Sequence, residues 1–362
     1  MSGHVHRRGS YSDGRPRWIA RYRGPDRKER QRAFRRQSDA RAWLRERQSD
    51  IGGGAWVPPE RAKRHFADVA DEWLTLHTGK PSTTAGYRSV LRSHINPRFG
   101  NREIGSIERP EIRRLVADLS STGLSANTVR NALNVVKGVC SHGVEAGALR
   151  SSPAAGVAAP RGCRREMTVA TTEQVAEIAE NVPLDHGTLI LTAAYTGLRA
   201  GELFALRVGD LDLMRGRVHV RRAVAEVRGE LVTGVPKSGR ERTVSLPPFL
   251  RELLASHVMD VATDPEALVF RSRSGAQLRI SNFYPRIFRP AADQAGLPEL
   301  RFHDLRHTCV AFLIESGAHP RAIMERLGHS SVAVTLDTYG HTLPSLDDDL
   351  TVALESRYRA AG

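Results

Sequence analysis

A multidomain protein, mainly α-helical with small β-sheets, is expected from the chain's length, its hydrophobic periodicity and the placement of its charge. The chain has 362 residues, more than one module holds at roughly 100 to 200 residues per domain. Apolar residues recur at helical spacing from Phe66 to about Val144, whereas residues 16–34 and 217–246 alternate or run apolar between turn signals. Charge is segregated: residues 1–64 hold 18 Lys+Arg against 7 Asp+Glu, a net of +11, while residues 161–362 balance at 25 against 25. At 40% hydrophobic and 26% charged residues, the composition is that of a folded globular chain.

The amino-terminal module reads as three short strands and a helix. Asp13-Gly14 is a hairpin signal, residues 18–22 alternate apolar and basic side chains, and Gly24-Pro25-Asp26 turns into residues 30–34. Ser38 is placed to cap a helix through Gln48 that packs Trp43 and Leu44 on the sheet. Gly52-Gly53-Gly54 and Pro58-Pro59 then read as a linker. Next comes an all-α unit of four helices. Phe66, Val69, Ala70, Trp73, Leu74 and His77 share one face, and Ser82-Thr83-Thr84 opens a second helix. A third runs over 109–119, and a fourth is capped by Ser125 and buries Val129, Leu133, Val136 and Cys140. Residues 153–160 form another linker.

The remaining segment reads as α+β. Helices are expected over 172–180, 187–196 and 201–207, then a three-stranded sheet from 217–227, 230–235 and 242–246. Helices follow over 248–258, 281–295, 303–316, 321–327 and a tail near 346–357. The resulting domains are 1–55, a linker at 56–64, 65–152, a linker at 153–165, and 166–362.

Several classes are excluded by what the chain lacks. The apolar run 189–195 is far short of the roughly 20 residues of a membrane span, and the charged first ten residues do not read as a secretory signal. A cytoplasmic protein is expected. Cys140, Cys163 and Cys309 are isolated, without C-x-x-C spacing, so neither a disulfide framework nor a zinc site is suggested. A module as cationic as 1–64 attracts phosphates through counterion release, which points to nucleic acid. A membrane surface fits less well, because the segment lacks an amphipathic basic helix.

Of the 54 basic residues only Lys28, Lys63, Lys80, Lys137 and Lys237 are lysine, so Lys237 stands alone among the 25 of residues 161–362. An ammonium can donate a proton that a guanidinium holds too tightly to give up. Arg199 follows Thr196-Gly197-Leu198, His303 and Arg306 open a helix on one face, His329 follows Leu327-Gly328, and Tyr339 lies beyond. Two arginines suit the non-bridging oxygens of a phosphodiester. Tyrosine is a candidate nucleophile, histidine a candidate base and lysine a candidate acid. Each residue also has a plainer reading: Arg199 pairing with Glu202 at a helix start, His303 and His329 as core histidines, Tyr339 as a buried aromatic. Asp337 and the Asp347-Asp348-Asp349 run do not form a metal-nuclease cluster.

Taken together, these motifs resemble the tyrosine recombinases, or phage-type integrases. Thr196-Gly197-Leu198-Arg199 with Glu202 is similar to the first arginine box, Pro236-Lys237-Ser238-Gly239 to the hairpin lysine, and His303-Asp304-Leu305-Arg306-His307-Thr308 to the H-x-x-R box. Leu327-Gly328-His329 and Asp337-Thr338-Tyr339 are similar to the final boxes, in the family's order. The resemblance implies that Arg199 and Arg306 clamp the scissile phosphate and that Lys237 protonates the leaving 5′ oxygen. His303 would help deprotonate Tyr339, His329 would support the phosphate, and Tyr339 would form a 3′-phosphotyrosyl bond. It also implies an arm-type DNA-binding domain over 1–55, a helical SAM-like core-binding domain over 65–152 and a catalytic domain of tyrosine-recombinase type over 166–362.

The activity implied is site-specific integration or excision of a prophage or other mobile element, with no cofactor, metal or ATP. Implied partners are double-stranded attachment-site DNA, three further copies in a homotetramer, and a directionality factor or DNA-bending protein. A bacterial or phage-encoded, nucleoid-associated protein is expected. A type IB topoisomerase-like relaxing enzyme and a catalytically silent DNA-binding accessory protein are the alternatives. Tyr195 and Tyr358 are rival nucleophiles, the first in an apolar helix and the second in the tail.

Overall fold

The alternation in the first 34 residues becomes three antiparallel strands in the order β1 (His4–Ser10), β2 (Pro16–Arg23) and β3 (Glu29–Phe34). Helix α1 (Gln37–Gly52) follows. The computed structural model describes residues 3–162, 167–237, 239–328 and 346–359. The chain divides into two compact units, Met1–Arg164 and Arg165–Gly362.

Period two decides the faces of the first sheet. Ala20 and Tyr22 of β2 are buried with Ala40 and Leu44 of α1, flanked by Trp18, Phe34 and Trp43. Arg17, Arg21 and Arg23 alternate onto the opposite face. Ser38 does not cap α1: Ala40 N already bonds Arg36 O, so Ser38 lies inside the helix, where its Oγ donates to Asp39 Oδ1 at 3.2 Å. The expected linker contains a short helix, α2 (Pro59–Ala62), with proline at its first position where no donor is needed. Arg30 joins it to the sheet, 2.7 Å from both Asp26 and Glu60.

The helical pattern holds through α3 (Phe66–Leu76), α4 (Pro81–Val90), a π turn at Leu91–Ile95, α5 (Asn96–Phe99), α6 (Arg109–Ser121) and α7 (Ala126–Glu145). Ser125 caps α7 by accepting from Thr128 N at 3.1 Å. The apolar stripes meet in one core that includes Phe66, Val69, Ile95, Phe99, Ile104, Ile112, Val136 and Cys140. Each large side chain buried there contributes about 1.5 to 3 kcal/mol.

The second unit starts with α8 (Thr172–Asn181), α9 (Leu184–Thr196) and α10 (Ala200–Phe204). Its β-structure corrects the single three-stranded sheet expected from sequence. Strands β4 (Leu211–Asp212), β5 (Arg217–Val220) and β8 (Arg242–Ser245) form one sheet, while β6 (Ala223–Val227) and β7 (Glu230–Gly234) form a separate hairpin. The break falls at Arg221 and Arg222, whose guanidinium groups turn onto the buried Asp210 at 3.4 and 2.9 Å. That pairing stops one strand from running through 217–227.

Helix α11 (Pro248–His257) follows. The helix expected over 281–295 is present over 280–294, with a π turn at Tyr284–Phe288 between α12 (Ile280–Phe283) and α13 (Arg289–Gln294). Pro285 and Pro290 lack the backbone donors that a regular helix needs. Then come α14 (Asp304–Glu315), α15 (Pro320–Leu327) and the tail helix α16 (Leu346–Arg359). Among the described residues no helix is long and apolar enough to cross a membrane. Cys140 and Cys309 are buried free thiols; Cys163 lies outside the described residues.

Candidate functional site

The turn after α9 starts the site. Gly197 ends the helix in the left-handed region, at φ +67°, where a Cβ would sit 2.4 Å from Leu327 Cδ2. Its carbonyl is thereby free to accept a hydrogen bond from the Arg306 guanidinium at 2.5 Å, and a second Arg306 nitrogen donates to Leu327 O at 2.7 Å. Arg306 is buried on α14 and is thus held by two backbone carbonyls. Burial, with the Arg199 guanidinium next in weight, holds its pKa below the ordinary arginine value. A desolvated cation of this kind gains more from an arriving anion than an exposed arginine does.

Arg199 lies at the start of α10, and Glu202, one turn in, accepts its backbone N–H at 2.9 Å and its guanidinium at 3.0 Å. The plainer reading of Arg199 as a partner of Glu202 therefore holds in the structure, and it coexists with a share in the site. Arg242 of β8 donates to both oxygens of the same carboxylate, at 3.0 and 2.7 Å. Glu202 is 1% exposed. Burial alone would raise its carboxyl pKa, but the Arg242 and Arg199 partners outweigh that and hold it below the ordinary value. Arg199 and Arg242 pair with Glu202, while Arg306 is bonded to carbonyls and feels their charges through space, so the three guanidinium groups and one carboxylate sum to two positive charges.

His303 occupies the exposed position just before α14, without a side-chain bond to the helix, its ring edge-on to His307 at 5.3 Å between centroids. Crowding by the surrounding protein comes first, then His307 and the Arg306 and Arg199 charges, and together they hold His303 below the usual imidazole range. A neutral imidazole at neutral pH can accept a proton. The helix start is anchored by Asp304, 1% exposed, which takes three hydrogen bonds from Arg301 at 2.7 to 3.0 Å. Thr308 adds a link by donating to Asp304 O and accepting from Ala170 N, both at 3.1 Å.

Lys237 is exposed in the turn between β7 and β8, a turn closed by Gly239 N on Pro236 O at 2.9 Å. Four of the six residues marked in the sequence are thus described. Arg199 and Arg306 share one cluster, His303 stands at the head of the helix that carries Arg306, and Lys237 lies on the turn leading into the strand of Arg242. His329 and Tyr339 lie outside the described residues. Of the rival tyrosines, Tyr195 packs against Phe249 and Phe312, and Tyr358 is exposed on α16.

Arg242 was not marked from sequence, although a signal exists. In residues 242–246 it has the same parity as Val244 and Leu246, both buried, and an arginine on the inward side of a short strand needs a buried partner. Among the described residues there is no group of three or more His, Cys, Asp or Glu that could hold a metal ion. The arrangement can bind a phosphate between two arginines beside a neutral imidazole.

Comparison with known proteins gives matches along most of the chain. The phage integrase family matches residues 165–345, and the N-terminal SAM-like domain of phage integrases matches residues 65–120. The putative prophage phiRv2 integrase of Mycobacterium tuberculosis is 30% identical over 351 residues, spanning 93% of this chain and 92% of the relative. The ICEBs1 integrase of Bacillus subtilis is 26% identical, spanning 76% and 78%. Among solved structures, the Tn1549 transposon integrase in complex with circular intermediate DNA has a TM-score of 0.69 at 19% identity, over 81% of this chain and 99% of that one. A lambda integrase dimer bound to a COC′ core site has a TM-score of 0.60 at 18% identity, over 91% and 94%. At these identities the structural likeness concerns the fold.

Proposed function

Because the chain belongs to the phage integrase family, we propose that it cuts and rejoins DNA at specific sites through a 3′-phosphotyrosyl intermediate made by Tyr339. As a tyrosine recombinase it integrates or excises a prophage or other mobile element. The observation that carries the reading is the buried cluster in which two positive charges remain beside a neutral His303. A phosphodiester brings one negative charge and its pentacoordinate transition state two, so the cluster's charge matches the transition state better than the ground state.

In the proposed step His303 accepts the proton of the Tyr339 hydroxyl as its oxygen bonds to phosphorus. Arg199 and Arg306 hold the non-bridging oxygens, with His329 supporting them. The bond to the 5′ oxygen breaks, and Lys237 supplies the proton that this oxygen takes up. The phosphotyrosine conserves the bond energy, so a 5′ hydroxyl of another strand can reverse the step without ATP or a metal. Residues 1–55 serve as the arm-type DNA-binding domain, with Arg17, Arg21 and Arg23 on the sheet face away from α1. Residues 65–152 bind core-site DNA, and residues 166–362 are catalytic. Four copies assemble on the attachment sites, with a directionality factor or DNA-bending protein, in the cytoplasm at the nucleoid.

The test is incubation of the wild type and Tyr339→Phe with nicked suicide duplexes drawn from the DNA flanking the gene, in EDTA, followed by resolution of covalent adducts. The expected result is a Tyr339-dependent adduct confined to one flanking sequence. Adducts on every duplex would replace this reading with a topoisomerase-like relaxing enzyme. Binding without any adduct would replace it with an accessory protein.

A further inference from the structure

We propose that Arg242 is a positioning residue that keeps Arg199 directed at the scissile phosphate by occupying half of Glu202; the inference rests on the function proposed above. A carboxylate offers about four acceptor positions. Arg199 fills two with its backbone N–H and one guanidinium nitrogen, and Arg242 fills the other two at 3.0 and 2.7 Å. At 1% exposure Glu202 is closed to bulk solvent, so its acceptor positions depend on protein donors. Without Arg242 its vacant positions draw the remaining nitrogens of the nearest cation, Arg199, into a two-pronged pair and away from the substrate.

Arg242 does not itself face the substrate. Its side chain is 9% exposed, and its third nitrogen, Nε, donates to Arg326 O at 3.0 Å. The next carbonyl along, Leu327 O, accepts from Arg306. Arg242 thus pins the same helix end that holds the second phosphate-binding arginine, and it does so from the strand that follows the Lys237 turn. Three nitrogens in one plane, two turned to a carboxylate and one to a carbonyl, are what a guanidinium provides; a lysine ammonium cannot span both partners.

The test uses full-length Arg242→Lys. Single-turnover cleavage is measured on a suicide duplex and on the same duplex with a methylphosphonate at the scissile position, where a non-bridging oxygen and its charge are absent. A misplaced guanidinium costs on the order of 100-fold in rate. The expectation is therefore a loss of that size on the phosphodiester, with the affinity for DNA unchanged. On the methylphosphonate, which needs less of Arg199, Arg242→Lys should fall within about threefold of wild type. A variant that folds poorly is slow on both duplexes, and equal losses on both overturn the proposal. So does a variant that cleaves the phosphodiester at the wild-type rate. If the wild type itself gives no Tyr339-dependent adduct, the proposed function fails and this inference fails with it.

Discussion

Replacing Glu202 by glutamine should destabilise the second unit more than any exposed acidic substitution. The glutamine oxygen can accept two of the four hydrogen bonds that Arg199 and Arg242 now give. Its NH2 group points donors at donors. Two charge-assisted hydrogen bonds are lost, each worth about 1.5 to 3 kcal/mol. Relief from burying the carboxylate returns part of this, so the net cost is about 3 to 5 kcal/mol, the range for breaking a buried ion pair. In a unit the size of Arg165–Gly362, each kcal/mol lowers the melting temperature by roughly 2 to 4 °C. Calorimetry of the full chain should therefore show that unit melting about 6 to 20 °C earlier at pH 7, while Glu230→Gln on the exposed strand β7 shifts it little.

The pH dependence follows from the depressed carboxyl pKa. The stabilisation is fully present above the ordinary glutamate value of 4.5 and is lost as pH falls through the lower folded value, so the gap between wild type and variant closes in acid. A drop below about 2 °C, or a gap that persists unchanged in acid, would refute the shared-carboxylate account.

Two further substitutions probe the same framework. Gly197→Ala forces a side chain into the left-handed region with its Cβ 2.4 Å from Leu327 Cδ2; about 1 to 2 kcal/mol of backbone cost and 1 to 3 kcal/mol of overpacking are expected. The urea midpoint should fall at unchanged m-value, and an unchanged midpoint would show that the turn relaxes. His307→Gln removes one of the charges that, after crowding, hold His303 down. The acid limb of the cleavage-rate profile should move to higher pH, and an unmoved limb would take His307 out of the electrostatics of the site.

Sequence periodicity suffices where a structural choice is local. The stripe of Phe66, Val69, Ala70 and Leu74 marks α3 because those side chains meet every turn, and Ser125 marks the start of α7 because a cap reaches only three residues ahead. The order of the arginine, lysine and H-x-x-R boxes is equally a linear property. The division of the second-unit strands is not. Alternation assigns residues 217–227 to a strand but says nothing of partners, and the turn of Arg221 and Arg222 onto Asp210, 11 and 12 residues away, splits it into two. The Ser38 cap failed for a similar reason, since α1 begins before that residue.

At the site, Arg242 reaches Glu202 across 40 residues and Arg306 reaches Gly197 across 109. No local pattern encodes those meetings. Which charges survive as unpaired, which carboxylate is saturated and how far a histidine is driven from its ordinary pKa depend on burial and on partners that only the folded chain brings within hydrogen-bond reach. Residue types and their order are linear properties of the chain; that two arginines share one buried glutamate follows only from folding, which brings β8 against the start of α10.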